Sequence, residues 1–226
     1  MYIVHCDKII KILYMRVKVE NIKFFKNIPA QYSRSLIYTR LGYEKTNTRI
    51  ETDRRRLIDR WITEAEELCE TTVIYRTVEI AVHKNTITLD GGEKLESSSL
   101  AALLQNSGSA VLMAATAGSR ITDEIRRLQE SGDMAKALVY DAAASEITDA
   151  GLDWIMGLLR QQLIRRGMAL TRMRYSPGYG DLDLSCQKVF YDLLSLNEWD
   201  IELNEKYILV PEKTVTAIVG IEYPKG

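Results

Sequence analysis

Apolar positions along this chain switch between two periods, and the switches mark its elements. After Thr52 or Asp53, each placed to cap, Leu57, Ile58, Trp61, Ile62, Ala65, Leu68 and Cys69 recur at helical spacing and predict a helix to Glu70. Trp61 then belongs to the core, and the run Arg54, Arg55, Arg56 to a solvated face. Ser35–Tyr43 reads as a short helix closed by Gly42, and Met15–Phe25 as an entering strand that ends before Pro29. Val73–Val82 and Thr86–Leu89 are strand-like, the second ending at the turn Asp90-Gly91-Gly92. Serine caps open a helix over Ser97–Gln105, Ala110–Ala115 is a short apolar run of a buried strand, and Gly118 leads into a helix over Ser119–Glu130.

The longest helical pattern runs from Asp133 to Arg166, with Ala135, Leu138, Val139, Ala142, Ala143, Ile147, Ala150, Trp154, Ile155, Leu158 and Leu159 as its stripe and a break expected at Gly151 or Gly157. Alanines in its first half admit close neighbours, so the directions of Asp141, Glu146, Asp149 and Asp153 matter. Past Gly167 the pattern predicts a strand over Met168–Tyr175, a helix over Ser185–Leu194, and short strands at Ile201–Leu203 and Tyr207–Val210. In Thr214–Tyr223, Val215, Ala217, Val219, Ile221 and Tyr223 share one face of a half-buried strand. Strands and helices mix without a βαβα repeat, and short connections join the late strands. That argues for the α+β class with a mainly antiparallel sheet.

Composition narrows this further. No proline- or serine-rich linker divides the 226 residues, so they read as one domain, residues 1–226. With 30 basic against 31 acidic residues there is no global basic field to argue for nucleic acid or an anionic membrane as a partner. Cys6, Cys69 and Cys186 are too scattered for a disulfide framework and read as reduced thiols of a cytoplasmic protein. Asp7, Lys8 and Lys11 interrupt the apolar N-terminus, and no small-residue cleavage site follows, which argues against export. Residues 1–14 are either an extension upstream of a start at Met15 or part of a short strand. No apolar run approaches the ~20 residues of a membrane-spanning helix.

Several chemistries find no residues. His5 and His83 have no cysteine or carboxylate near them at ligand spacing, and neither lies in a nucleophile motif, so no metal site or hydrolase triad is expected. Gly178 and Gly180 begin a GxG, but Asp183 holds the third glycine position, which argues against dinucleotide binding.

One stretch does carry chemistry, Arg172–Gln187. Pro177 pushes Ser176 toward extended geometry, while Gly178 and Gly180 permit positive φ and an approach to bare backbone. Arg174 brings a planar, always-charged fork suited to a carboxylate, and Tyr179 a ring and a hydroxyl. On spacing alone a tight turn before the next helix is the simpler reading.

Within that stretch RYSPGY, Arg174 to Tyr179, resembles the arginine-x-serine/alanine-proline-glycine-tyrosine signature of the activation (reactivation) domain of cobalamin-dependent methionine synthase. LIYTRLGYE from Leu36, VLMAATAGSRITDEIRRLQ from Val111, DMAKALVYDAAASE from Asp133 and VPEKTVTAIVGIEY from Val210 resemble stand-alone members of the same family, in order, across residues 36–223.

The resemblance implies a twisted antiparallel sheet packed by helices, with S-adenosylmethionine in a shallow groove. Arg174 would pair its carboxylate, Tyr179 would hold it with the loop Ser176, Pro177 and Gly178, and an acid of the long helix would lie near its amino group. The register puts Asp149 there, where a glutamate is usual, with Glu146 as the other candidate. Asp183 stands where stand-alone members commonly have proline, and Val219 where the full-length synthase has tyrosine.

The implied task is repair, in which reduction of inactive cob(II)alamin is coupled to methyl transfer from S-adenosylmethionine. No cobalamin-binding module is expected within these residues. The chain would act in trans on a methionine synthase or related corrinoid protein, with flavodoxin or ferredoxin as electron donor and no acid, base or nucleophile contributed here. The alternatives are an S-adenosylmethionine-binding or interaction protein without reactivation, and an activator of another corrinoid protein of one-carbon metabolism.

Overall fold

The computed structural model describes residues 22–43 and 50–223. Cys6, His5, residues 15–21 of the expected entering strand and the reading of residues 1–14 lie outside them. The sheet grows from its most apolar segment. Strand β5 (Ser107–Thr116) is buried on both faces at every position except Gly108, as a run without alternation requires. It extends beyond the expected Ala110–Ala115 because Ser107 and Ser109 continue the pairing with the last strand.

On one side β5 pairs with β2 (Thr72–His83), whose other edge carries β1 (Lys23–Phe25) and then β3 (Thr86–Leu89), followed by β4 (Lys94–Glu96). On the other side it pairs with β9 (Thr214–Glu222), which carries β6 (Ala169–Leu170). All these pairings are antiparallel, and the class is α+β as expected. A separate hairpin joins β7 (Glu202–Leu203) to β8 (Leu209–Val210).

Helices cover both faces. α3 (Ser98–Leu104) and α6 (Gln187–Leu193) pack Leu100, Leu104, Phe190 and Leu193 onto Ile74, Val78, Leu112 and Ile218. Opposite them, Leu152, Ile155, Met156 and Leu159 of α5 (Met134–Ile164) cover Val73, Met113, Ala217 and Val219. β9 is therefore buried on both faces, not half-buried, because its Thr216, Ile218 and Gly220 side is also covered. Ahead of the sheet, the alanine-rich first half of α5 packs among α1 (Arg34–Arg40), α2 (Thr52–Leu68) and α4 (Ser119–Glu130).

α5 corrects the expected break, since neither Gly151 nor Gly157 interrupts its 31 residues. A Cβ at Gly151 would come within 3.2 Å of Ala115 Cβ and 3.3 Å of Thr71 Cγ2. At Gly151 the helix therefore lies so close to its neighbours that a side chain there would force them to give way. A glycine costs a helix about 1 kcal/mol, whereas burying each of the four large side chains beside it returns about 1.5–3 kcal/mol, so the helix continues through it. The stripe is displaced too: Ala137 and Tyr140 are buried, while Ala135 and Leu138 face solvent.

Other boundaries follow the local chemistry. Gly42 takes φ +83 just past α1, and its N–H and that of Tyr43 close on Thr39 O and Tyr38 O. Ser97 caps α3, its Oγ accepting from Leu100 N at 2.9 Å. Thr52 and Asp53 do not cap α2. The N-cap is Glu51, without a side-chain bond, and Asp53 lies in the first turn 3.3 Å from Arg56.

Candidate functional site

The expected strand over Met168–Tyr175 forms only in part, and its interruption makes the site. Ala169 and Leu170 pair with β9, Thr171 N donates to Gly220 O, and pairing then lapses until a single bridge joins Tyr175 to Ile218. The six residues from Leu170 to Tyr175 thus face the four from Ile221 to Ile218, a bulge of two residues. The Thr171 hydroxyl holds it, donating to Met173 O and accepting from Gly220 N. Beyond the bulge successive side chains take opposite faces: Tyr175 enters the core beside α3 and α6, and Arg174 reaches α5.

The loop that follows is tied down at several points. Tyr179 N donates to Ser176 O, Gly178 N to Leu182 O, and Leu182 N to Tyr179 O, while the Leu182 side chain is buried. Gly178 and Gly180 have φ +80 and +56, and a Cβ at Gly180 would collide with the Tyr175 hydroxyl. That hydroxyl donates to Asp181 Oδ1 at 3.2 Å, and the Tyr175 and Tyr179 rings meet edge to face at 5.5 Å.

Asp181 clamps the loop to the start of α3, accepting from Ser97 Oγ at 2.5 Å, Ser98 N at 2.7 Å and Ser99 N at 3.2 Å. The Ser97 hydroxyl first, then the N–H groups, hold its carboxyl well below the ordinary range. Asp183 accepts from Ser185 N at 2.8 Å and is likewise lowered, so it caps the 3-10 turn Leu184–Cys186 that runs into α6.

Arg174 is the charged end of this construction. Its guanidinium pairs Nη1 with Asp153 and sets Nη2 3.5 Å from Asp149 Oδ1. The other Asp149 oxygen lies 2.6 Å from Arg40 Nη2, and Arg40 Nε lies 3.2 Å from Glu146 Oε2. The result is an alternating chain, Glu146–Arg40–Asp149–Arg174–Asp153, drawn from α1, α5 and the loop. Of the two expected acids, Asp149 stands at Arg174, and Glu146 turns into the helix packing toward Arg40. Ser176 and Pro177 are half-buried where the loop leaves the sheet, Gly178 is exposed, and Tyr179 is 63% exposed.

Arg40 and Asp153 were not among the expected site residues. The signal for Asp153 is its place one turn beyond Asp149 on the same helix face. Arg40 lies within LIYTRLGYE, but its partners depend on α1 packing against α5, which local pattern does not report.

An open cavity of about 170 Å³ adjoins Asp149, between Ser145 and Thr148 of α5 and the Glu212–Val215 segment. A larger cleft of about 900 Å³ separates α4 from the β7–β8 region and touches neither Arg174 nor the loop. The candidate site therefore rests on its charges and exposed backbone rather than on cavity size. Among the described residues no group of His, Cys, Asp and Glu is arranged to hold a metal ion, and no helix is long and apolar enough to cross a membrane. Cys69 is kept protonated by burial, which pushes its thiol up to about 12.

No family model matches this sequence, and neither does any curated protein. Among solved structures, a crystal structure of the MetH reactivation domain bound to AdoHcy matches with a TM-score of 0.66, over 91% of this chain and 79% of that one, at 11% identity. At that identity the likeness is one of fold.

Proposed function

We propose that this chain binds S-adenosylmethionine across the Arg174 loop and supports reductive methylation of cob(II)alamin carried by a separate cobalamin-dependent methionine synthase polypeptide. The observation that carries the reading is the meeting of Arg174 and Asp149, 3.5 Å apart, at the RYSPGY loop of a reactivation-domain fold.

The residues fit such a ligand. The Arg174 fork matches a carboxylate, and Asp149, already facing that fork, matches the neighbouring ammonium. The exposed backbone around Gly178 lets a ligand lie close, and the Tyr179 ring offers an apolar wall with a hydroxyl at its end. S-adenosylmethionine supplies the methyl group when bound. The protein's part is to fix the ligand's two ends and leave its reactive centre open to a second protein, so orientation is what this chain contributes. A flavodoxin or ferredoxin supplies the electron.

The test mixes this chain with a cob(II)alamin-loaded methionine synthase fragment lacking its reactivation domain, S-adenosylmethionine and a low-potential reductant, and follows methylcobalamin by absorbance. Methylation that depends on this chain is the expected result, and methylation at the same rate without it overturns the reading. A second reading is ligand binding without reactivation. Val219 favours it, because a fully buried aliphatic residue packs against α5 where the full-length synthase has a tyrosine.

A further inference from the structure

We infer that Asp153 is a displaceable stand-in for the ligand carboxylate at Arg174, so that it sets how well this site distinguishes carboxylate-bearing ligands from their decarboxylated counterparts. The inference rests on the adenosyl-ligand reading of the site. Arg174 has a planar fork of N–H donors and no acceptor, and two carboxylates face it. They are not equivalent.

Asp149 is held from both sides, by Arg174 through one oxygen and by Arg40 at 2.6 Å through the other. Arg40 is in turn fixed by Glu146, whose side chain is only 9% exposed. Pulling Asp149 away would disturb the packing of α1 on α5. Asp153 occupies the open end of the chain, with a side chain 69% exposed and Arg174 as its one hydrogen-bonding or ion-pairing partner among the described residues.

An incoming carboxylate therefore exchanges with Asp153 and leaves the Asp149 contact in place. One Arg174–carboxylate contact breaks as another forms, and no proton or electron moves. Three acids against two arginines leave the chain of charges one negative in excess, which suits a ligand that brings an ammonium group with its carboxylate. Because exposed ion pairs are individually weak, the exchange is favourable but carries a penalty that a ligand without a carboxylate never meets.

Calorimetry with S-adenosylhomocysteine and its decarboxylated analogue tests this. In Asp153→Asn the first should bind about threefold more tightly, and the second should be unchanged. Asp149→Asn should weaken both, which separates a displaceable acid from a binding one. If the wild-type chain binds both ligands and Asp153→Asn leaves S-adenosylhomocysteine unchanged or weaker, Asp153 is not a competitor and the inference fails. If neither ligand binds the wild-type chain, the reading of the site fails and takes this inference with it.

Discussion

Arg174 Nη2 lies 3.5 Å from Asp149 Oδ1, joining a loop at the sheet's edge to the middle of the longest helix. The contact joins an arginine on the α5 side of its segment to a helix that Gly151 lets lie close to the sheet.

Replacing Arg174 by alanine should weaken S-adenosylmethionine binding about tenfold or more, the effect of losing ~1.4 kcal/mol of charge-assisted contact. Titration calorimetry reads it directly. Unchanged affinity would move the ligand away from this loop.

Asp149→Asn should impair ligand binding, and Glu146→Asn should chiefly loosen α1 through Arg40. Their separate readouts are ligand affinity and thermal midpoint. A loss of affinity confined to Glu146→Asn would show that the acid of the site lies one turn earlier on α5.

The two glycines of α5 should respond oppositely to alanine. A Cβ at Gly157 would meet no neighbouring atom within 4 Å, so Gly157→Ala should stabilise by up to ~1 kcal/mol through helix propensity. Gly151→Ala should destabilise, because Ala115 and Thr71 must give way. Urea unfolding of both variants decides it, and a stabilised Gly151→Ala would mean that the sheet yields freely.

Asp181 supplies a pH dependence. Its carboxyl is lowered in the folded protein, by the Ser97 hydroxyl first, and regains its ordinary value near ~3.9 on unfolding. The stability it contributes is therefore complete above that pH and is lost as pH falls toward the folded value. Between roughly pH 5 and pH 2 the urea midpoint of the wild type should fall more steeply than that of Asp181→Asn. Equal slopes would show that the clamp on α3 does not depend on charge.

What sequence pattern made legible was local. Gly42, Ser97 and Gly118 act within a few residues of themselves, and the elements they punctuate lie where periodicity places them. The α+β class followed from the order of those elements. Readings that needed a distant partner went astray or were missed. Gly151 resembled a helix breaker because its neighbours, Ala115 and Thr71, are distant in sequence. β9 looked half-buried because nothing local announced α3 and α6 on its second face. At the candidate site, resemblance pointed to Arg174 and Asp149, which the fold brings together, while Arg40 depends on a helix–helix contact that only the folded chain reveals.

The two-residue bulge before Arg174 has a bearing on how this segment can change length. Alternation along a strand has a parity, and an even surplus preserves it while an odd one inverts it. Removing a single residue between Thr171 and Met173 would exchange the roles of its successors, turning a guanidinium into the apolar layer and a tyrosine toward the acids of α5. Drift by pairs leaves each on its own side. In this part of the chain, whether a change of length is odd or even decides if the guanidinium still meets the helix.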